Sequence, residues 1–261
     1  MLLKDRNAVV YGASGAVGAA VARAFAREGA RVFLAARQRD RLDVVADDIR
    51  LQGGMAEPLP VDATDKHAIE AQLALISGKA GPVKIMFNAI DWGDTQGEPL
   101  GTMSLEKVLR PVQTGLTTWF YTGTVVADHM VRHGGGSIVG ISANAGRQAF
   151  PNVGGFGIAC AAVEHFLRQL AVENGPFGVR VNWVRSPGSP DSPGVHEVWS
   201  LAARDRGMTL DEIHKEFAKD TPLRRVTPLA QIADAAVLLA SDLAAGMTAT
   251  MANATGGAQI D

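Results

Sequence analysis

Short apolar runs alternate with amphipathic stretches along this chain, and that alternation limits its possible folds more than any other feature. NAVVY is followed by AVGAAVARAFAREG, RVFLA by RDRLDVVADDIRLQGG, EPLPV by DKHAIEAQLALIS, and KIMFN by a long segment reaching residue 133. The order then repeats. SIVGIS precedes the helical pattern FGIACAAVEHFLRQLAVENG, VRVNWV precedes LAQIADAAVLLAS, and ATMAN closes the series. Runs this apolar are buried on both faces, and helices between successive runs make the strands parallel. The pattern predicts an α/β fold, a doubly wound parallel sheet with helices on each side. A chain of 261 residues suits one such unit, so residues 1–261 are read as a single domain. Sheets of this kind bind ligands beyond the carboxyl ends of their strands, which directs attention to the residues after NAVVY, RVFLA, KIMFN and SIVGIS.

Charge and cysteine usage narrow the partners. The 25 basic and 27 acidic residues leave a formal charge of −2, which gives no electrostatic basis for binding nucleic acid or an anionic membrane. A small-molecule substrate or ligand is the expected partner. One cysteine rules out an internal disulfide and a multi-cysteine zinc site, and no metal centre is expected. The start MLLKDRNAVVYG has no apolar stretch long enough for a signal peptide or a membrane span. With the single thiol, this leads us to expect a reducing, cytoplasmic setting. Residues 186–222 depart from the alternation, being rich in Pro, Gly and Ser at first and helical afterwards. That segment reads as a lid or substrate loop, with a plain insertion as the alternative.

After the first apolar run comes YGASGAVG, with Gly12, Gly15 and Gly18 spaced three apart. Glycines allow a tight turn and close approach of a phosphate, and the N–H groups at the start of the following helix attract its charge. Ser14, Ala16 and Val17 complete this candidate phosphate loop. The second run ends RVFLAARQRDRL, where an acidic residue would hold a ribose 2′-hydroxyl; Ala36 and Arg37 stand there instead. A guanidinium at that point favours NADP(H) over NAD(H), with Arg39 or Arg41 as helpers. Asp62 is placed either to accept from an adenine amino group or to cap the next helix.

Taken together, YGASGAVG, AARQRDRL, VDATD, MFNAI, GGGSIVGISANAG, FGIACAAVEHFLRQLAVENGPFGVRVNWV and SPG resemble the short-chain dehydrogenase/reductase family, in order and at matching intervals from Asn7 to about Gly257. The resemblance implies a Rossmann-type sheet of about seven strands, NAD(P)(H) binding, and a homotetramer or homodimer. It also implies cofactor contacts from Ala63, Asn88, Ala89, Pro187 and Gly188.

The same resemblance locates what is missing. Members that interconvert alcohols and carbonyls use an Asn, Ser, Tyr and Lys tetrad. Counting from Gly146 puts the serine position at Ala143, the tyrosine position at Phe156 and the lysine position at Cys160. The asparagine position falls on Gly115, with Gln113 as the other register. Phenylalanine has no proton to give, and a thiol is too short to imitate a lysine ammonium. Ile90 also stands where the family carries a glycine after the fourth strand. Ser142 neighbours the serine position, but alternation along a strand leads us to expect that it faces away. Asn144, Arg147, Gln148, Asp191 and His196 lie near enough to be considered, yet no motif positions them, so the catalytic residues stay unknown. Three readings follow: an NADP(H)-binding protein with a degenerate site, an NADPH-dependent oxidoreductase acting on a small carbonyl or activated alkene through nonstandard residues, and a nonredox lyase or isomerase.

Overall fold

The computed structural model describes residues 1–260. Seven parallel strands, β1 (Asn7–Tyr11), β2 (Arg31–Ala35), β3 (Met55–Pro58), β4 (Val83–Asn88), β5 (Gly136–Ala143), β6 (Val179–Ser186) and β7 (Met251–Asn253), form one sheet in the order β3-β2-β1-β4-β5-β6-β7. Side chains alternate across it. Ala8 and Val10 face one core, shared with α1 (Ala16–Arg27), α2 (Arg39–Leu51) and α8 (Leu229–Ala240). Val9 and Tyr11 face the other, shared with α3 (Lys66–Ala80), α4 (Leu105–Arg132) and α5 (Phe156–Asn174). Burial on both faces explains why the strands read as continuous apolar runs.

The third strand differs from expectation. EPLPV suggested residues 57–61, but the ladder with β2 pairs Arg31–Leu34 with Met55–Pro58. Pro58 and Pro60 have no N–H to donate, so pairing past Pro58 survives only as single bonds from Leu59 N to Leu34 O and from Val61 N to Ala36 O.

Strand order reverses between β1 and β4, and Ala89 N–H donates to Tyr11 O at 3.0 Å across that crevice. This is the switch point where such sheets hold ligands. Within residues 186–222, two helices form, α6 (Pro193–Asp205) and α7 (Leu210–Lys219). They enclose a small core of Trp199, Ala203 and Ile213, separate from the two main ones. Trp199 packs at 5.0 Å from Phe217 and 5.1 Å from His214, ring centre to ring centre. The Asp191 carboxylate accepts from Leu229 N–H at 3.0 and 3.2 Å, tying the start of this segment to the first turn of α8. None of the helices is long and apolar enough to cross a membrane, among the described residues.

Candidate active site

The glycine turn joins β1 to α1, and its three glycines answer to different demands. A Cβ on Gly12 would lie 2.3 Å from Ala89 O, and one on Gly18 would lie 2.2 Å from Gly12 O. The chain's own backbone therefore requires both. A Cβ on Gly15 would meet only Gly12 O at 3.4 Å, an ordinary contact, and Gly15 is exposed. Gly15 also caps α1 without any side-chain hydrogen bond to the helix start. Ser14, Gly15 and Ala16 border a cleft of about 690 Å³ that runs past Arg41 to Asp191, Pro193 and Leu229.

Arg37 is exposed at the end of β2, and its charge helps hold the Asp62 carboxyl below the usual range. The larger cause of that depression is hydrogen bonding from Thr64, whose N–H and Oγ1–H donate to Asp62 Oδ1 at 2.9 and 2.7 Å. The helix-capping role open to Asp62 goes instead to Asp65, which accepts from His67 and Ala68 N–H at the start of α3. Asp62 closes a turn three residues earlier. Arg39 is held by Asp43 one helical turn on, at 2.9 Å. Ala63 lies half-buried beside Asp62. Asn88 is buried at the end of β4, donating to Thr122 Oγ1 at 3.0 Å and accepting from Ile90 N–H at 3.0 Å. Asn88 and Ala89 thus stand across the crevice from Gly12. Pro187 and Gly188 follow β6 directly beyond the pair Ala143 and Ser186.

The four positions matched to the tetrad also converge. Ala143 ends β5, Phe156 and Cys160 lie one turn apart on α5, and Gly115 on α4 is linked to Phe156 through the Trp92 indole. Around Gly115 and Phe156 the surroundings are apolar. The Trp92 indole, from the loop after β4, lies 3.2 to 3.4 Å from where a Cβ on Gly115 would be. Its ring centre is 6.1 Å from that of Phe156. Trp92 thus fills the space a side chain at 115 would need. Its loop is tied to the segment leading into α5 by Gly97 N–H, which donates to Asn152 O at 2.8 Å.

Beneath this floor lies a buried polar cluster. Ser142 Oγ donates to Glu164 Oε1 at 2.7 Å, and Arg185 Nη2 donates to Oε1 at 2.9 Å and Oε2 at 2.7 Å. Ser142 therefore faces α5, contrary to expectation. The face of β5 carrying Ile138, Gly140 and Ser142 is the one α5 covers, and Ala143 joins the same core as the strand ends. The Cys160 thiol is fully buried and its pKa is pushed up to about 12, first by loss of hydration and further by the Glu164 and Asp94 charges. Hydrogen bonds from the Ala143 backbone and Ser142 offset only part of that shift.

Trp92, Asp94, Glu164 and Arg185 were not singled out by sequence reasoning. Trp92 and Asp94 lie in the stretch after KIMFN where strand-end logic directs attention. Glu164 stands one turn past Cys160 on the same helix face, so a signal existed for each of these three.

A parallel sheet that reverses at β1 and β4, with a glycine turn at the reversal, defines a Rossmann-type α/β protein. The family model described as Enoyl-(Acyl carrier protein) reductase matches residues 12–259. The chain belongs to the short-chain dehydrogenase/reductase family. It is 34% identical over 257 residues, 98% of its length and 92% of the relative's, to an uncharacterized oxidoreductase of Mycobacterium tuberculosis (strain CDC 1551 / Oshkosh). It is 27% identical over 255 residues, 98% of its length and 94% of the other's, to the 7alpha-hydroxysteroid dehydrogenase of Escherichia coli (strain K12). Among solved structures, it is similar to a single-residue variant of the actinorhodin polyketide ketoreductase with NADPH, with a TM-score of 0.87, 27% identity and 97% of each chain covered. Both curated relatives are oxidoreductases.

Proposed function

We propose that this chain is a cytoplasmic NADP(H)-binding member of its family whose site lacks the groups for ordinary alcohol and carbonyl interconversion. The observation that carries the binding half is the glycine turn. Gly12 and Gly18 answer to the chain's own packing, whereas exposed Gly15 and an uncapped helix start are explained by an anion resting there. Ser14, Gly15, Ala16 and Val17 would hold the diphosphate, Arg37 the 2′-phosphate and Asp62 with Ala63 the adenine. Asn88, Ala89, Pro187 and Gly188 would line the path of the nicotinamide half. When bound, the cofactor supplies or accepts a hydride. The similar ketoreductase was solved with NADPH, and Arg37 is what favours the phosphorylated dinucleotide in this chain.

The catalytic half rests on what stands at 115, 143, 156 and 160. A general acid is typically worth roughly 10² to 10⁴ in rate and one oxyanion donor roughly 10² to 10³. Losing both removes on the order of 5 to 9 kcal/mol of transition-state stabilisation, with the effects not strictly additive. Restoring Ala143→Ser, Phe156→Tyr and Cys160→Lys together tests this. NADPH should bind both proteins, and carbonyl reduction should appear only in the triple variant. Rapid ketone reduction by the unaltered protein would refute the degenerate site, and failure of either dinucleotide to bind would refute the whole reading. Exposed Phe120 on α4 and Ile158 on α5 fit assembly as a homodimer or homotetramer, which light scattering on the purified protein would reveal.

A further inference from the structure

Arg6, Lys84 and Arg180, all half-buried, line a cavity of about 190 Å³ at the end of the sheet opposite the glycine turn. The topology collects them there. Arg6 directly precedes β1, Lys84 is the second residue of β4 and Arg180 the second of β6, while Gly136, which opens β5, lines the same cavity. Since β1, β4, β5 and β6 are neighbours in that order, four adjacent parallel strands bring their amino ends to one place. The space is several times the roughly 30 Å³ share of one water molecule.

Its charge is out of balance. Lys84 Nζ donates to the main-chain oxygens of His133 and Gly135, the second at 3.1 Å. Arg180 likewise donates to Leu239 O at 2.9 Å and Ser241 O at 3.1 Å, where α8 ends. These carbonyls are neutral, and neither cation has a carboxylate partner among the described residues. The cavity wall carries one carboxylate, Asp242, which pairs with Arg6 at 2.9 Å and is 81% exposed at its side chain. Three cations against one carboxylate leave two positive charges in excess among the described residues. The carboxyl ends of α4 and α8, roughly −0.5 each, offset at most half of that. Loss of hydration pushes the Arg180 pKa below its usual value; Asp242 opposes that shift and the Arg6 charge adds to it.

We propose that this cavity is a second ligand site, which takes a phosphate dianion, either inorganic phosphate or the phosphate of a small monoester. A dianion matches the excess charge. Its oxygens can accept from the third Nζ–H of Lys84 and from the Nε–H and Nη1–H of Arg6, which have no partner among the described residues. Bound there, the anion bridges the starts of β1 and β4 and stabilises the folded chain by mass action. The site does not depend on the NADP(H) reading, because Gly15 and Arg37 follow the carboxyl ends of β1 and β2, at the other end of the sheet.

The test titrates inorganic phosphate into the full chain by calorimetry, with chloride holding the ionic strength constant. A dinucleotide cleft also attracts phosphate, so the titration is repeated with saturating NADPH and with Arg37→Ala. Saturable phosphate binding should persist in both. Lys84→Gln and Arg6→Gln should each weaken it by roughly tenfold. Asp242→Asn, which removes the opposing charge, should tighten it, whereas damage to the fold would weaken binding in all three variants. Phosphate should raise the melting temperature of the unaltered protein and not that of the Arg6→Gln, Lys84→Gln double variant. No saturable binding, displacement of phosphate by NADPH, or an affinity unmoved in the double variant would overturn the site. Glycerol 3-phosphate serves as the monoester: tighter binding than inorganic phosphate would identify a monoester as the ligand, and the reverse order would identify the free anion.

Discussion

Single residues carry the sharpest expectations. Arg37 is exposed where a 2′-phosphate would lie, so Arg37→Ala should weaken NADPH binding by roughly 10- to 100-fold and leave NADH nearly unaffected, as read by fluorescence titration. Equal loss for both dinucleotides would show that Arg37 shapes the loop and does not read the phosphate. Cys160 is buried with its pKa pushed up to about 12, so the native protein should resist a thiol reagent at neutral pH and react fully once denatured. Gly115 has a different constraint. An asparagine there would drive a side chain into the Trp92 ring, 3.2 Å from the Cβ position. Gly115→Asn should cost about 1–3 kcal/mol in denaturant melts, and pairing it with Trp92→Ala should recover part of that loss. The identity of each residue at 143, 156 and 160 was plain in the sequence. That Trp92 fills the space over Gly115 was not, because 23 residues separate them along the chain.

At the scale of elements, the Glu164 and Arg185 pair joins α5 to the end of β6, and Ser142 adds β5 to the same carboxylate. Glu164→Ala takes away the buried carboxylate that Ser142 and Arg185 both bond, so it should cost about 3–5 kcal/mol. Replacing both with apolar residues, as in Glu164→Leu with Arg185→Met, should restore much of the stability by chemical denaturation. The cluster was hidden from sequence reasoning because strand alternation alone does not say which face a helix covers. Once α5 packs on the face carrying Ser142, three residues from three elements meet. The boundaries of β1, β2 and α1 were legible because their apolar runs end at Gly, Arg or a charged turn. Those of β3 were blurred because Pro58 and Pro60 interrupt the ladder that defines a strand.

For the molecule as a whole, acid should act through the far end of α4. His129 is buried there and accepts from Val83 N–H at 3.1 Å, a bond that needs a neutral ring. Burial above all, and then the nearby His133 and Arg132, lower its pKa from 6.5 to about 4. Between those values the unfolded chain binds the extra proton and the folded one does not, so stability should fall as pH drops from about 6.5 to about 4 and level off below. The loss should reach at most about 3 kcal/mol. His129→Gln keeps an acceptor without the titration, and its melts should show a flatter profile across that range. The sequence by itself determined the doubly wound sheet and the glycine turn at its reversal, because periodicity and steric freedom are local properties. Only the tertiary structure decided that Trp92 closes over Gly115 and packs on Phe156, and that Ser142 faces α5. Those contacts depend on how loops and helix faces meet across the sheet, which no local pattern specifies.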